Sequence, residues 1–181
     1  MYKAEPMLPS DVFSLDWVNL DEKSESFPLS YYLYYLINHG EDCIVIPSLE
    51  ERVTSFAYKR VSYAYMIGKL EEKDRVICIH ISAVSVAPSF RRNCFGKLCM
   101  DIAEESGNVY NAHFSDLYVR EGNRIAIEFY KKLGYVVYRK VFDYYIDGGG
   151  EDALDMRKSL KADKGKIYMA RGTDIPASEL K

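Results

Sequence analysis

A strand, a basic turn and a helix near the middle of the chain limit the fold more than any other feature. Apolar, small and β-branched residues dominate from Ile77 to Val86, which is typical of a strand inside a sheet. Pro88 ends that strand because it has no amide hydrogen to donate. Arg91 and Arg92 follow, and an amphipathic helix begins near Gly96. A helix N-terminus beside fixed positive charge attracts anions, so this stretch predicts phosphate binding.

Composition and spacing narrow the class of protein. A chain of 181 residues can bury a core without disulfides, and a net charge of −3 argues against a DNA-binding protein. There is no nucleotide P-loop and no glycine-rich dinucleotide motif. The four cysteines lack the spacing of a zinc site, so we expect no metal. We see neither a membrane span nor a secretion leader, which favours reduced thiols and a cytoplasmic location.

The order of the predicted elements indicates an α/β (α+β) domain. It reads β-α-α-β-β-β-α-β-α-β-β, a mixed and mostly antiparallel sheet of six to seven strands flanked by about four helices. The helix that starts at Gly96 is expected to end at a left-handed Gly107. A later helix over 123–133 is expected to turn Ile125 and Tyr130 towards the core. The domain covers 1–158, the stretch 48–60 has no assignment, and 159–181 reads as a polar tail.

Two motifs carry a resemblance to the GNAT acetyltransferases. The pattern [RQ]-x-x-G-x-[GA] fits Arg91 to Gly96 with Cys94 in place of the middle glycine. The pattern N-x-x-A-x-x-x-Y-x-x-x-G-[FY] fits Asn123 through Tyr130 to Gly134-Tyr135. The two motifs lie at the expected separation, so together they are stronger than either alone. The resemblance implies the GNAT fold and acetyl-coenzyme A (acetyl-CoA) as cosubstrate.

Within that family, further segments are similar to the catalytic subunit of the N-terminal acetyltransferase NatB. They are Asn19–Asp21, Ser24–Phe27, His80–Pro88, Asp116–Arg120, Tyr135–Arg139 and Asp152–Lys158. This resemblance implies acetylation of the α-amino group of proteins that begin Met-Asp, Met-Glu, Met-Asn or Met-Gln. It also implies a large helical auxiliary subunit, nascent protein N-termini as substrates and association with the ribosome. Neither DNA nor a membrane is an expected partner.

The resemblance assigns catalytic and cosubstrate-binding residues. Tyr130 is the general acid that protonates the departing thiolate, and a backbone amide near Val84 to Val86 stabilises the oxyanion. The residues expected to bind acetyl-CoA are Val84, Ser85, Val86, Arg91, Arg92, Asn93, Cys94, Phe95, Gly96, Lys97, Asn123 and Tyr130.

The substrate side chain at the second position needs polar partners. His80 and Ser82 lie two residues apart on one strand face and can donate hydrogen bonds to an Asp or Asn. By resemblance, Tyr144 and Tyr145 hold the peptide backbone. As adjacent strand residues they point to opposite faces, so one alone is expected to contact substrate. Glu25 matches a loop glutamate near the amine, and Phe27 stands where a tyrosine is usual.

The segment from Tyr31 to Ile37 has no charged face. A helix that is aromatic or apolar all round is covered either by the core or by another protein, and we expect the auxiliary subunit to dock here. Two alternatives stay open from the sequence. One is an acetyltransferase with another acceptor, such as NatA-type N-termini, a lysine or a small amine. The other is a partner protein that binds the coenzyme without catalysis.

Overall fold

The computed structural model describes the following parts of the chain: 3–20, 26–48, 52–54, 57–59, 61–73, 75–146 and 150–180. The described strands are β1 (Glu5–Pro6), β2 (Cys43–Pro47), β3 (Arg52–Thr54), β4 (Ala57–Lys59), β5 (Ser62–Lys73), β6 (Val76–Val86), β7 (Phe114–Arg120), β8 (Val136–Tyr145), β9 (Glu151–Ser159) and β10 (Ile175–Pro176). The described α-helices are α1 (Pro9–Val12), α2 (Leu29–His39), α3 (Phe95–Val109) and α4 (Arg124–Lys132). None of these helices is long and apolar enough to cross a membrane.

Eight of the described strands form one mixed sheet in the order β1-β2-β5-β6-β7-β9-β8-β10. Strand β2 is antiparallel to β1 and β5, β9 is antiparallel to β7 and β8, and β10 runs parallel to β8. The α/β sheet with four helices is therefore confirmed. The strand count is higher than predicted, because β10 comes from residues that the sequence suggested were a tail. Within the unassigned stretch 48–60, β3 and β4 pair as a separate two-stranded sheet.

The chain divides into two compact units, and the first comprises Met1–Leu70 and Ile81–Glu105. Helix α2 contributes to the core of this unit. It buries Tyr32 and Tyr35 among Leu15, Val18 and Tyr65. The Tyr65 hydroxyl donates to Asn19 Oδ1 at 3.1 Å, so this aromatic core also satisfies its polar atoms.

The outer side of α2 is exposed. Tyr34 is 54% exposed and Ile37 is 80% exposed, although both are large and apolar or aromatic. Only one side of this helix therefore packs on the core of its own unit.

The second unit comprises Glu71–His80 and Ser106–Lys181, and its sheet is built on β7, β9 and β8. Arg157 on β9 is buried, with its guanidinium carbon 3.5 Å from the ring centroid of Tyr138 and 4.4 Å from that of Phe114. Helix α4 buries Ile127 and Tyr130 on one face, whereas Ile125 is 73% exposed. The predicted inward orientation of Ile125 is thus wrong, because the buried face follows the i, i+3 pair of Ile127 and Tyr130.

Gly107 does not end α3. The helix continues to Val109, and the left-handed residue after it is Asn111, with φ of 56°. A Cβ at Gly107 would lie 2.8 Å from Cγ2 of Ile79 and 2.8 Å from Cδ1 of Leu160. Glycine is present here because of close packing and not because of its backbone freedom.

Residues after Ser159 continue the fold, which differs from the expected tail. Asp163 accepts hydrogen bonds from the Ser159 hydroxyl at 2.5 Å and from the Ile167 amide at 3.0 Å. Further on, the Gly172 amide donates to the Tyr138 carbonyl at 2.7 Å, just before β10 joins β8. These backbone and carboxylate contacts hold a polar segment in place, and polar composition alone does not predict them.

Candidate active site

The basic turn after β6 is held by its own polar groups. Arg91 Nε donates to the Val86 carbonyl at 3.2 Å, and Asn93 Nδ2 donates to the Phe90 carbonyl at 3.2 Å. Arg92 and Cys94 have positive φ values of 69° and 63°. The turn therefore has its left-handed shape without glycine at either position.

The start of α3 offers backbone donors. The Leu98 amide bonds back to the Cys94 carbonyl at 2.9 Å, so the amides of Gly96 and Lys97 precede the first intrahelical bond. Arg91, Arg92 and Lys97 are exposed beside them, although Lys97 Nζ also pairs with Asp101 at 2.7 Å. Backbone amides, a helix dipole and arginine charge fit the phosphates of a coenzyme.

Phe95 anchors this helix start in the first unit. It is buried, and its ring is nearly parallel to that of Tyr63 at a centroid distance of 5.5 Å. On β6, Ser85 is also buried, whereas Val84 and Val86 are half-buried. Among the residues predicted to bind the cosubstrate on this stretch, Ser85 and Phe95 are thus buried. The basic residues Arg91, Arg92 and Lys97 are exposed and can donate hydrogen bonds.

Two predicted substrate residues of the first unit contact α2. The Ser82 hydroxyl lies 2.7 Å from the Tyr35 hydroxyl, so it already has one hydrogen-bond partner. Phe27 stacks on Tyr31, with ring centroids 4.2 Å apart. Glu25, the third predicted residue in this part of the chain, lies outside the described residues.

In the second unit, His80 belongs to a network of ionisable side chains that the sequence did not predict. His80 is buried, and its Nδ1 lies 3.0 Å from Asp116 Oδ1. The other carboxylate oxygen of Asp116 accepts from Lys73 Nζ at 2.7 Å, and Lys73 also pairs with Glu71 at 2.6 Å. The sequence offered one signal for this network: Asp116 lies in a predicted strand, and a carboxylate that is buried there needs a charged partner.

The electrostatics of this cluster favour a charged carboxylate. Burial alone would raise the pKa of Asp116, but the charges of His80 and Lys73 and their hydrogen bonds lower that pKa overall. Burial likewise opposes the charge of Lys73, yet Asp116, Tyr118 and Glu71 raise its pKa overall. Asp116 and Lys73 therefore remain an ion pair across the working pH range of a protein.

The two tyrosines at the end of β8 contact different neighbours, although the pairing of β8 is irregular between Val141 and Tyr145. Tyr144 packs against Tyr118 with ring centroids 4.9 Å apart, and Tyr118 lies 5.3 Å from the His80 ring. Tyr145 instead lies beneath Arg120, whose guanidinium carbon is 3.9 Å from the ring centroid. An aromatic row thus runs from His80 through Tyr118 to Tyr144, and the Tyr145 ring adjoins its end, with its centroid 4.9 Å from that of Tyr144.

Helix α4 positions both Asn123 and Tyr130. The Asn123 side chain accepts from the Ala126 amide at 3.2 Å and so caps the helix. Tyr130 is buried, and its hydroxyl has no hydrogen-bond partner within the described parts of the chain. Burial raises the pKa of Tyr130, so the phenol keeps its proton.

The cluster around Asp116 also has the composition of a cation site. One ligand atom each of Glu71, Cys78 and Asp116 lies within 4.8 Å of the others. The ammonium of Lys73, however, already supplies a positive charge to both carboxylates. These residues are accounted for as an ion-pair network of the protein itself.

The fold and the turn agree with a family comparison. The Acetyltransferase (GNAT) family model matches residues 11–135. This match defines the class of the domain as an acetyltransferase of the GNAT family.

Comparison with individual proteins narrows this class. The N-terminal acetyltransferase B complex catalytic subunit naa20 of Schizosaccharomyces pombe is 41% identical over 156 residues, covering 85% of this chain and 83% of that protein. Chaetomium thermophilum Naa20, solved in complex with a bisubstrate analogue, has a TM-score of 0.86 at 31% identity, with 97% of each chain covered. A structure of the NatB acetyltransferase complex bound to CoA and MES has a TM-score of 0.72 at 31% identity, covering 87% of this chain and 99% of that one. The chain therefore belongs to the GNAT family, in the group of NatB N-terminal acetyltransferase catalytic subunits.

Proposed function

We propose that this protein transfers an acetyl group from acetyl-CoA to the α-amino group of proteins that begin Met-Asp, Met-Glu, Met-Asn or Met-Gln. The observation that carries this proposal is the buried His80, which Asp116 holds at the position that the family resemblance assigns to the second side chain. A carboxylate or amide at that position requires a polar partner to replace water. Its relatives among NatB catalytic subunits support the same choice.

The acetyl transfer does not require a strong general base. An α-amine has a reference pKa of roughly 7.7–8.0, so a useful fraction is already neutral near pH 7. Bound acetyl-CoA supplies the acetyl thioester. A backbone amide near Val84 to Val86 donates to the thioester oxygen as negative charge develops there. The amine nitrogen bonds to the thioester carbon as the carbon–sulfur bond breaks. Tyr130, whose phenol stays protonated in its buried site, gives its proton to the departing sulfur, and the proton that the nitrogen loses restores the phenol.

The proposed partner is an auxiliary subunit, since one of the solved structures that this chain resembles is of the NatB acetyltransferase complex. The outer side of α2 supports docking there, because Tyr34 and Ile37 are large and exposed. Phe13 and Trp17, in the same unit, are 65% and 43% exposed as well. Exposed apolar groups of this size are typical of protein interfaces.

Acetyl transfer from labelled acetyl-CoA tests the proposal. The acceptors are short peptides that begin Met-Asp, Met-Asn, Met-Leu and Ser-Glu, with the chain alone and together with a NatB auxiliary subunit. We expect a preference for Met-Asp and Met-Asn that His80→Ala removes. The control is His113→Ala, since His113 lies in the same unit but packs against Tyr168 in the C-terminal segment. Equal rates on all four peptides, or no transfer even with the auxiliary subunit, would refute the proposal.

A further inference from the structure

Resting on the proposed function, we propose that Asp116 and Lys73 are positioning residues that hold His80 with its proton on Nδ1. In this arrangement Nε2 is the ring nitrogen that can form a hydrogen bond with the second side chain of the substrate. One imidazole then serves both acidic and amide side chains.

The first step of the argument is the position of the proton. An ionised carboxylate only accepts hydrogen bonds, and Asp116 Oδ1 lies 3.0 Å from His80 Nδ1. Two acceptors at that distance would repel, so Nδ1 must carry a hydrogen. Lys73 Nζ lies 3.4 Å from the same nitrogen but is itself only a donor, so it cannot supply the hydrogen bond that Nδ1–H needs.

The second step is the support behind Asp116. Its side chain is fully buried, and its second oxygen is fixed by Lys73 at 2.7 Å. Lys73 is fixed in turn by Glu71 at 2.6 Å. With both oxygens occupied, the carboxylate cannot rotate away from His80 without breaking a buried ion pair.

The third step concerns what remains of His80. Within the described residues, Nε2 has no hydrogen-bond partner, and the His80 side chain is 11% exposed. The other groups facing the ring are Glu71, whose Oε1 is 4.0 Å from Nδ1, and the Tyr118 ring. Nε2 is therefore the polar atom of this group that is available to a ligand.

The selectivity follows from the two states of a histidine whose Nδ1 proton is fixed. In the neutral ring, Nε2 accepts from the amide of Asn or Gln. In the protonated ring, Nε2 donates to the carboxylate of Asp or Glu, and the negative charge of Asp116 balances the ring. The ratio of kcat/KM for Met-Asp to that for Met-Asn therefore reports how well the charge of Asp116 supports the ring when a carboxylate is bound.

The test combines ¹⁵N NMR of the histidine rings with competition between Met-Asp and Met-Asn peptides. In the wild-type chain, the His80 signals, assigned by their loss in His80→Ala, should show the proton on Nδ1. Asp116→Asn keeps the shape but removes the charge, and should lower the Met-Asp to Met-Asn ratio about tenfold or more.

Asp155→Asn is the matched control, since Asp155 is another buried acid of the same unit but pairs with Arg139 at 2.9 Å. We expect it to lower stability while the Nδ1 proton and the peptide ratio stay unchanged. A proton on Nε2 of neutral His80 in the wild-type chain overturns the proposal, and this measurement needs no variant to fold. An unchanged peptide ratio in a folded Asp116→Asn variant overturns it too. If no peptide is acetylated by the wild type, the proposed function fails, while the NMR result still decides the positioning of His80.

Discussion

Replacing Tyr130 by Phe separates catalysis from stability. Tyr130 is a buried residue, and its hydroxyl has no hydrogen-bond partner in the described parts of the chain. Removing the hydroxyl therefore breaks no hydrogen bond to any of the described residues. We expect the free energy of unfolding of Tyr130→Phe to stay within about 0.5 kcal/mol of the wild type.

The effect on the reaction is expected to be much larger. A positioned general acid contributes about 10²- to 10⁴-fold to the rate. At 1.36 kcal/mol for each factor of ten, this raises the barrier by about 3–5 kcal/mol. The loss should appear in kcat and not in KM, because the proton is transferred only as the carbon–sulfur bond breaks.

The neighbouring Tyr135 provides the control. Its hydroxyl lies 2.7 Å from that of Ser115, and both side chains are buried. Tyr135→Phe leaves the Ser115 hydroxyl unpaired and should cost about 1–3 kcal/mol of stability. It should leave kcat nearly unchanged. Steady-state kinetics with a Met-Asp peptide and chemical denaturation of each variant measure both quantities.

The pH dependence follows from the direction of the Tyr130 shift. Burial raises the pKa of Tyr130 above the reference value of about 10, so the acid form persists as pH rises. We expect no fall in kcat from this residue up to about pH 10. The raised pKa also means that this group contributes stability that is present below about pH 10 and is lost above it, as the pH rises towards the folded-state pKa. An unchanged kcat in Tyr130→Phe, or a loss of kcat matched by an equal loss of stability, would refute the assigned role.

Three further variants test other parts of the structure. Gly172→Ala would place a Cβ 2.5 Å from Cζ of Tyr138, so we expect a loss of about 1–3 kcal/mol on denaturation. Gly40→Ala, with nothing within 4 Å, is its control, and equal stability of the two would contradict the close packing. Cys94→Gly removes a left-handed Cβ that costs about 1–2 kcal/mol in the chain without its cosubstrate, so it should raise the free energy of unfolding by about that amount, and unchanged stability on denaturation would show that Cys94 carries no such strain. Ile37→Glu, on a side chain that is 80% exposed, should abolish co-purification with an auxiliary subunit and leave the melting temperature unchanged, and retained co-purification would place the interface elsewhere.

Much of the fold could be predicted because it depends on local patterns. The strand Ile77–Val86, the basic turn and the helix after it are encoded in consecutive residues, and β6 and α3 confirm them. The errors have a common physical cause. Gly107 suggested a helix end, yet the helix passes through it because Ile79 and Leu160 pack too closely for a Cβ. Residues after Ser159 suggested a tail, yet they bond to distant carbonyls such as that of Tyr138.

The roles of the site residues stay predictions, and the structure adds their contacts. The sequence pointed to His80, Ser82 and Tyr130 because their motifs are local. It did not predict that Ser82 would bond to Tyr35, or that His80 would be held by Asp116, which is 36 residues further along the chain. Such pairs have no periodicity or spacing that a single sequence can reveal.

The sequence by itself determined the α/β class, the motifs of the acetyltransferase family and the aromatic character of α2. Local propensity and short spacing encode these properties, and they persist in any chain with the same pattern. The tertiary structure alone decided which side of α2 is exposed, which tyrosine of the β8 pair packs against Tyr118, and which groups pair with the buried carboxylate of Asp116. Burial decides these points, since a side chain far along the sequence becomes a neighbour only after the sheet has formed.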